Sequence, residues 1–365
     1  MFALKENRTT VFVAMSGGVD SSVVAGLMKE QGHEVIGITM CFNIPHPATK
    51  KPSCCGVEGI EDAQRAAQIL DIPHYVLNFA KEIEENIMDN FTSEYLSGRT
   101  PNPCVQCNQH LKFGSLFQKA RSLGAEILAT GHYAKIEFNK EEERYELKKA
   151  DDPLKDQSYF LYSVPKDTLP HVWFPLGGLR KSEVRDLARK YRLNTAEKKE
   201  SQDICFVGEG GYQKFLEDRV GKQMRPGPFV DQEGNVVGQH KGIAYYTIGQ
   251  RDKLGLALGY PAYVTKIDKE TNSVYVGRLD KLYAKGLIAS PMNYVGLEGA
   301  VRNLAVQARI RYNAPEVTAF LTSLEGSSAR IDFEAPQKSV TPGQSVVLYR
   351  EDVVVGGGII ARAIV

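Results

Sequence analysis

Two patterns of apolar and polar positions divide the chain at about residue 207. Before it, short β-branched apolar runs alternate with segments of helical spacing. "TTVFVAM" (residues 9–15) predicts a buried strand, "VVAGLMKEQG" (23–32) a helix that ends at Gly32, and "HEVIGITMCF" (33–42) a second strand. A strand, a loop, a helix and a strand in this order begin a parallel sheet.

After residue 207 the pattern changes. "GGYQKFLEDRVG" predicts a short helix, and "AYVTKIDKETNSVYVG" predicts a strand, a turn and a strand. Further on, "AVQARIRYN", "VTAFLT" and "SARIDFE" alternate as strands do. We therefore predict an α/β parallel-sheet catalytic domain at 1–207, a small central domain at 208–284 and an antiparallel β-barrel at 285–365.

Composition narrows the class of protein only a little. The chain has 365 residues, 42% of them hydrophobic and 24% charged, as globular proteins do. A net charge of +1 neither demands nor excludes a nucleic-acid partner, so an anionic partner must use a local patch. There is no apolar run near eighteen residues, and "MFALKENRTT" lacks the layout of a signal peptide. We expect a cytoplasmic protein with no membrane association.

The loop "SGGVDSS" (residues 16–22) stands between the first strand and its helix. Its glycines allow backbone N–H groups to approach an anion, and the helix N-terminus adds positive potential. Asp20 suits such a site if it binds Mg²⁺ or caps the helix. The alternative is a plain tight turn, but the whole string in this setting favours a phosphate loop. It is not a Walker loop, which needs a Lys after its last Gly.

The carboxyl edge of the predicted sheet offers further candidates, because ligands of open α/β sheets bind there. "ATGHYA" ends a strand and places Gly131 and His132 at this edge, and Met40 ends the second strand. His132 could instead be a capping or packing histidine, and Met40 a core methionine.

Two polar stretches follow. "KDQSYFLY" (residues 155–162) is either a turn before a helix or a loop that contacts substrate. Residues 180–200 hold eight Lys or Arg against four Asp or Glu. That stretch is either a solvated helix face or a contact for an RNA backbone.

Six cysteines complete the candidate chemistry. In a reducing compartment their spacing favours metal binding or catalysis over structural disulfides. The pair in "TPNPCVQCNQHLKFG", Cys104 and Cys107, could be a redox pair, half of a metal site or a sulfur-handling pair. Cys41, Cys54 and Cys55 are expected to be packed or tolerated thiols.

Six motifs in order carry a family resemblance: "AMSGGVDSS", "GRTPNPCVQCN", "LATGHYA", "KDQSYFLY", "ESQDICFVG" and "YTIGQR". The loop resembles that of the ATP-pyrophosphatases, and the whole set resembles the tRNA-specific 2-thiouridylases. The resemblance implies an ATP-pyrophosphatase fold for the first domain, ATP and Mg²⁺, and a tRNA anticodon arm as partner. It implies adenylation of O2 of the wobble uridine (position 34), then sulfur transfer from a cysteine persulfide. The persulfide donor would be a cysteine desulfurase or a sulfur-relay protein.

The same resemblance implies roles for individual residues. Cys107 and Cys205 match the two catalytic cysteines, of which Cys205 accepts the persulfide and Cys107 then forms a disulfide with it. The implied nucleotide-binding residues are Ala14, Met15, Ser16, Gly17, Gly18, Val19, Asp20, Ser21, Met40 and Gly131. The implied tRNA-binding residues are Asn102, Pro103, Cys104, His132, Lys155, Asp156, Gln157, Arg311, Tyr312 and Gln344.

The chain departs from the family's pattern at two points. Many members have Asp where this chain has Cys104, and that Asp is a candidate general base or orienting group. Either the role of this Asp is dispensable or this branch works differently. One alternative is an iron–sulfur cluster on Cys104, Cys107 and Cys205. The second departure is "IGQRDKLG", where Asp252 and Lys253 replace the usual Lys-Gly.

Other functions stay open at this point. One is another tRNA-modifying or amide-forming ATP-pyrophosphatase, although no glutaminase signature accompanies the loop. Another is a metal- or redox-binding RNA module, which leaves "SGGVDSS" unexplained.

Overall fold

The computed structural model describes residues 8–45, 52–53, 57–198, 204–208, 210–298 and 300–365. The α-helices are α1 (Val19–Glu30), α2 (Val57–Ile69), α3 (Ala80–Ile83), α4 (Asp89–Leu96), α5 (Pro103–Gln106), α6 (Phe117–Ser122), α7 (Ser158–Leu161), α8 (Lys181–Lys190) and α9 (Gly211–Val220). None of the described helices is long and apolar enough to cross a membrane.

The strands are β1 (Thr10–Ala14), β2 (Glu34–Cys41), β3 (Ile44–Pro45), β4 (Pro52–Ser53), β5 (His74–Asn78), β6 (Ile127–Thr130), β7 (Lys135–Asn139), β8 (Arg144–Lys148), β9 (Val172–Trp173), β10 (Gly227–Val230), β11 (Val236–His240), β12 (Tyr263–Asp268), β13 (Ser273–Gly277), β14 (Tyr283–Tyr294), β15 (Leu304–Arg309), β16 (Val317–Ser323), β17 (Ala329–Lys338), β18 (Ser345–Arg350) and β19 (Val353–Ile364). Two π-helical segments, Glu84–Met88 and Cys107–Leu116, and several 3₁₀ turns complete the elements.

The contacts divide the chain into two compact units. The first comprises Met1–Asn86, Cys104–Phe206 and Asp352–Val354, and the second comprises Ile87–Pro103, Val207–Glu351 and Val355–Val365. The boundaries at 207/208 and 284/285 stay predictions.

A five-stranded parallel sheet forms the centre of the first unit, in the order β5-β2-β1-β6-β9. Val11 and Val13 of β1 are fully buried, and Val23, Val24 and Met28 of α1 belong to the same core. The predicted parallel α/β architecture is therefore confirmed. From β1 the chain adds β2 and β5 on one side of the sheet, and later β6 and β9 on the other. The strand order therefore reverses at β1, and its carboxyl end is the switch point where such sheets bind ligands.

Two features of the first unit were not predicted. The charged residues 135–148 form an antiparallel hairpin of β7 and β8. The segment after Cys107 is π-helical as far as Leu116 before it continues as α6. Both helix types place apolar residues on one side, so hydrophobic spacing alone did not separate them.

The second unit contains two β structures, as predicted. The strands β11-β10-β13-β12 form a small sheet that buries Phe229, Val264 and Val274. The strands β14-β17-β16-β15-β18-β19 form an antiparallel sheet that closes through pairing of β14 with β19. This six-stranded barrel confirms the predicted C-terminal fold, and its core includes Leu287, Leu321 and Leu348.

The segment Ile87–Pro103, here called the strap, packs within the second unit. The ring of Tyr95 stacks on Tyr212 with centroids 4.6 Å apart. Asp89 forms an ion pair with Arg219, with 2.5 Å between Asp89 Oδ1 and Arg219 Nη2. At the far end, the Thr100 N–H donates to the Pro342 carbonyl at 2.9 Å. The strap thus has anchors on α9 and on the loop before β18.

Gly343 tests how tightly the strap is held. It has φ +92°, and a Cβ there would lie 2.8 Å from Thr100 N and O, whereas Gly326 has φ +67° with open space around it. Gly326→Ala should cost about 1 kcal/mol of unfolding free energy from the backbone conformation alone. Gly343→Ala should cost at least about 2 kcal/mol, because the strap must also move. Urea denaturation of both variants measures the difference, and equal costs would contradict a tight strap.

Candidate active site

The loop after β1 is held by its own hydroxyl groups. The Ser16 N–H donates to Ser21 Oγ at 3.1 Å, and the Ser21 and Ser22 hydroxyls donate to the Gly18 carbonyl at 3.2 and 3.0 Å. Gly18 is the N-cap of α1 without a side-chain cap, so the expectation that Asp20 caps this helix is wrong. The side chains of Met15 and Val19 are buried in the core. The Met15 N–H donates to the Ile38 carbonyl at 2.8 Å, and its carbonyl accepts from the Thr39 hydroxyl at 2.7 Å.

Two glycines allow the loop to be this compact. Gly17 has φ +74°, and a Cβ there would lie 2.0 Å from the Gly59 carbonyl oxygen in α2. A Cβ on Gly131 would lie 2.9 Å from the Ser21 nitrogen. The structure therefore brings Gly131, at the end of β6, against the start of α1, where an anion would meet the helix N-terminus. Met40 is half-buried at the end of the neighbouring strand β2.

Asp20 is engaged by two residues that the sequence did not single out. Its oxygens accept from the Lys181 ammonium at 2.7 and 2.8 Å, and Oδ1 also accepts from the Tyr133 hydroxyl at 2.8 Å. The side chains of Lys181 and Asp20 are 13% and 28% exposed. This half-buried ion pair lies at the first turn of α1, beside the candidate phosphate loop.

The basic stretch 180–200 is largely neutralised within the first unit. Lys190 pairs with Glu30, Arg189 with Asp186 and Glu197, and Lys198 with Asp62. The Arg185 guanidinium donates to the Ala196 and Lys198 carbonyls. These four cations therefore have partners within the first unit, and an RNA contact for this stretch stays a prediction. Residues 199–203 lie outside the described residues.

His132 lies between two rings and a cation. Its ring centroid is 5.8 Å from that of Phe113 and 5.6 Å from that of Phe174. Its Nδ1 is 2.7 Å from Thr130 Oγ1 and its Nε2 is 3.3 Å from the Lys112 ammonium. Burial, and secondarily the Lys112 charge, hold the pKa of His132 well below its usual range. The imidazole is therefore neutral near pH 7.

Three reduced thiols share one part of the first unit. Cys104 lies in α5, Cys107 begins the π-helical segment, and Cys205 lies in the short described segment 204–208. The charge of Cys205 acts on the ionisation of both other thiols, so Cys205 lies within electrostatic range of Cys104 and Cys107. Cys41, expected to be a packed or tolerated thiol, is instead disulfide-bonded, and Cys54 and Cys55 lie outside the described residues.

Burial controls the ionisation of these thiols. Solvent reaches Cys104 and part of Cys107, yet protein atoms crowd both sulfurs and disfavour the thiolates. This burial raises the pKa of Cys107 to about 12 and also raises the pKa of Cys104. Lys112 opposes the shift at both residues, and the neighbouring thiols add to it. In this state Cys107 is a thiol at neutral pH.

The segment 155–158 is both a turn and the start of a helix. Gln157 exchanges hydrogen bonds with Tyr133, accepting from its N–H at 3.0 Å and donating its own to the Tyr133 carbonyl at 2.8 Å. Asp156 is buried and accepts from Ala150 and Ser158. Lys155 is half-buried, and its N–H donates to the Asp152 carbonyl at 3.1 Å. The structure gives Asp156 an internal role, and the tRNA contacts of all three stay predictions.

Five of the tRNA candidates lie in the second unit. Gln344 Nε2 donates to the Thr100 and Pro101 carbonyls at 3.1 and 3.2 Å, so it holds the strap next to Asn102 and Pro103. Arg311 donates to the carbonyls of Lys338 and Ser339, and Tyr312 follows it, half-buried. Gln344 and the strap candidates therefore lie together, whereas the interaction with RNA stays a prediction.

The described residues do not fit a metal cluster. Within the described part of the chain, no group of three or more His, Cys, Asp or Glu side chains is arranged to hold a metal ion. Cys104, Cys107 and Cys205 interact electrostatically without forming such a group. We therefore derive no step through an iron–sulfur cluster.

Three family models match the chain, one after another. Residues 9–209 match the model described as "tRNA methyl transferase HUP domain", 213–278 the "tRNA methyl transferase PRC-barrel domain" and 284–360 the "Aminomethyltransferase beta-barrel domain". These descriptions mention methyl transfer, whereas the relatives named next are called thiouridylases.

Two relatives are similar over almost their whole length. The chain is 48% identical over 358 residues to "tRNA-specific 2-thiouridylase MnmA" of Carboxydothermus hydrogenoformans, covering 97% of this chain and 98% of that protein. It is 49% identical over 354 residues to the protein of the same name from Moorella thermoacetica, covering 95% and 98%. Among solved structures, the "U34-tRNA thiolase NcsA from Methanococcus maripaludis with its [4Fe-4S] cluster" matches with a TM-score of 0.35 at 20% identity, over 60% of this chain and 66% of that one. A similarity this low carries no argument about function.

The Asp20–Lys181 ion pair should contribute more to the free energy of unfolding than an exposed ion pair does. A double-mutant cycle of Asp20→Asn and Lys181→Met should give a coupling free energy of about 1–3 kcal/mol, because the charged hydrogen bonds are half-buried. Lys81 and Glu85, 80% and 58% exposed, provide the control, and their coupling should stay below about 0.5 kcal/mol. Thermal or urea unfolding measures both, and equal couplings would contradict this reading.

His132 should stay neutral over the physiological pH range. Its folded pKa is lowered, so the unfolded chain binds a proton below about pH 6.5 that the folded chain rejects. Stability should therefore fall as pH decreases from about 6.5 towards the folded pKa. NMR of the His132 ring, assigned with His132→Gln, should show no titration above about pH 6, whereas the urea-unfolded chain titrates near 6.5. Titration near 6.5 in the folded protein would contradict the buried, cation-facing geometry.

Proposed function

The chain belongs to the family of tRNA-specific 2-thiouridylases, and from that membership we propose that it thiolates C2 of the wobble uridine (position 34) of tRNA. Its activity is that of a tRNA-uridine 2-sulfurtransferase, and ATP and a cysteine persulfide are the other substrates. The observation that supports the proposal most is that Cys107 and Cys205 interact electrostatically and belong to the same unit as the candidate phosphate loop.

ATP is consumed in the first step. The uridine O2 attacks the α-phosphorus, the bond to the β-phosphate breaks, and pyrophosphate leaves. Backbone N–H groups of residues 17–21, at the N-terminus of α1, would hold the phosphates. Adenylation converts a poor leaving group on C2 into AMP, which leaves readily.

Mg²⁺ would neutralise phosphate charge in this step. Asp20 has the carboxylate that Mg²⁺ prefers and lies beside the loop, so it is the described residue that fits this ion. Both of its oxygens are engaged by Lys181, which must be displaced for the metal to bind there. The ammonium released by that exchange would lie beside the loop and could contact a phosphate.

Sulfur is delivered in the second step. A donor protein transfers its terminal sulfur to Cys205, which becomes a persulfide. The Cys107 thiolate attacks the Sγ of Cys205, hydrosulfide leaves, and a Cys107–Cys205 disulfide forms. Hydrosulfide adds to C2 and AMP is expelled, which completes the thiouridine. A two-electron thiol reductant then regenerates both cysteines.

The tRNA contacts proposed from the family divide into two groups. Cys104, His132 and residues 155–157 lie in the first unit, and Asn102, Pro103, Arg311, Tyr312 and Gln344 in the second. The target base belongs to a single-stranded anticodon loop, so turning it out of its stack costs little.

Cys107 and Cys205 provide the test of this function. Cys107→Ser and Cys205→Ser should each lower tRNA thiolation by at least about 10³-fold, because each removes a sulfur that no other group replaces. Release of pyrophosphate with ATP and tRNA should continue within about threefold, since adenylation precedes sulfur transfer. Mass spectrometry of the nucleosides and a pyrophosphate assay measure the two steps.

Cys104→Ser serves as the matched control, because Cys104 is the third thiol of the cluster but makes no bond in this scheme. Thiolation that survives in both Cys107→Ser and Cys205→Ser would contradict the mechanism. Pyrophosphate release in the absence of RNA would favour an amide-forming ATP-pyrophosphatase instead.

A further inference from the structure

Lys112 is a half-buried cation that has no anionic partner among the described residues. Other half-buried lysines of the first unit pair with carboxylates, namely Lys181 with Asp20, Lys135 with Asp151 and Lys198 with Asp62. Among the residues that the structure describes, no carboxylate lies within ion-pairing distance of the Lys112 ammonium, and its hydrogen-bond partner is His132. A cation in such a place is costly unless an anion joins it.

The hydrogen bonds of His132 leave the Lys112 charge uncompensated. An ammonium only donates, so His132 Nε2, 3.3 Å away, must be the acceptor. The proton of the neutral ring is then on Nδ1 and is donated to Thr130 Oγ1 at 2.7 Å. His132 therefore orients the ammonium without neutralising it.

The backbone places Lys112 one π-turn after Cys107. Both residues belong to the segment Cys107–Leu116, in which hydrogen bonds join residues five apart. The charged and titratable groups that act on Cys107 are Lys112, Cys104 and Cys205, and Lys112 alone favours its thiolate. An uncompensated cation and a thiol that must become an anion thus share one short segment.

We propose that Lys112 is the counter-ion of the anionic sulfur at Cys107. This inference rests on the proposed function, in which Cys107 must attack as a thiolate. The Cys107 S–H bond breaks, the proton passes to solvent, and the negative charge on sulfur faces the Lys112 ammonium. His132 acts as the positioning residue that orients this ammonium.

The test measures the ionisation of Cys107 without ATP, tRNA or a sulfur donor. In the full chain carrying Cys104→Ser, the rate of iodoacetamide alkylation at Cys107 is followed by mass spectrometry from pH 6 to pH 10.5. Lys112→Gln keeps a hydrogen-bond donor but removes the charge, and it should slow alkylation at pH 8 by about tenfold, which corresponds to one pKa unit. Lys112→Arg should restore the rate to within about threefold.

A purely structural role would give the opposite sign. If Lys112 only filled space, its replacement would admit water to Cys107, the cost of burying the thiolate would fall, and alkylation would become faster. An unchanged or faster rate in folded Lys112→Gln therefore overturns the proposal. Lys112→Met gives a second neutral variant should Gln fail to fold. Exposed Lys119→Met, in α6 beyond the same segment, should leave the rate unchanged.

The proposed function can fail separately. If the parent protein carries out no tRNA thiolation but Lys112→Gln still slows alkylation, the counter-ion assignment stands and the reaction is a different one. If thiolation is observed and alkylation is insensitive to Lys112, the function stands and the counter-ion is wrong. Circular dichroism and thermal unfolding confirm that each compared variant is folded.

Discussion

The close approach of Gly17 to Gly59 is the constraint on which the candidate site depends. A Cβ at Gly17 would lie 2.0 Å from the Gly59 carbonyl oxygen, so the loop after β1 lies directly on α2. A Cβ at Gly131 would lie 2.9 Å from the Ser21 nitrogen at the start of α1, so the loop is fixed between two neighbouring elements. Backbone N–H groups fixed in this way bind an anion without first losing conformational freedom, which is the advantage of a preorganised site.

The lysines beside the candidate phosphate loop and the lysine beside the thiols differ in their charged partners. Beside the loop, Lys181 and Lys198 are each paired with a carboxylate, so an incoming phosphate or metal ion would exchange partners with existing ion pairs. Beside the thiols, Lys112 faces an imidazole and sulfur, and its charge is uncompensated. An exchange of partners changes the net charge beside the loop little. A cation without a carboxylate partner instead favours the formation of an anion, here at the thiol that reacts in the proposed mechanism.

The sequence was most informative where contacts are local. The apolar runs of β1 and β2 and the string "SGGVDSS" predicted the parallel sheet and its loop, because a strand, a loop and a helix are specified by neighbouring residues. Contacts between distant residues were not predictable: Lys181 reaches Asp20 across 161 positions, and Lys190 neutralises Glu30 across 160. The same limit applies to the basic stretch 180–200, since three of its partners, Asp20, Glu30 and Asp62, lie far away in the sequence. Cys205 was paired with Cys107 only through the family motif.

The raised pKa of Cys107 has a consequence for the order of events. A thiol with a pKa of about 12 is ionised in only about one molecule in 10⁵ at pH 7, so Cys107 reacts slowly with oxidants that would join it to Cys104 in a disulfide. In the proposed mechanism, a persulfide on Cys205 offers a sulfur electrophile that reacts with the small thiolate fraction as it forms. Under that proposal, burial would suppress disulfide formation at Cys107 until the sulfur has arrived, and the Lys112 charge would lower the remaining barrier to ionisation.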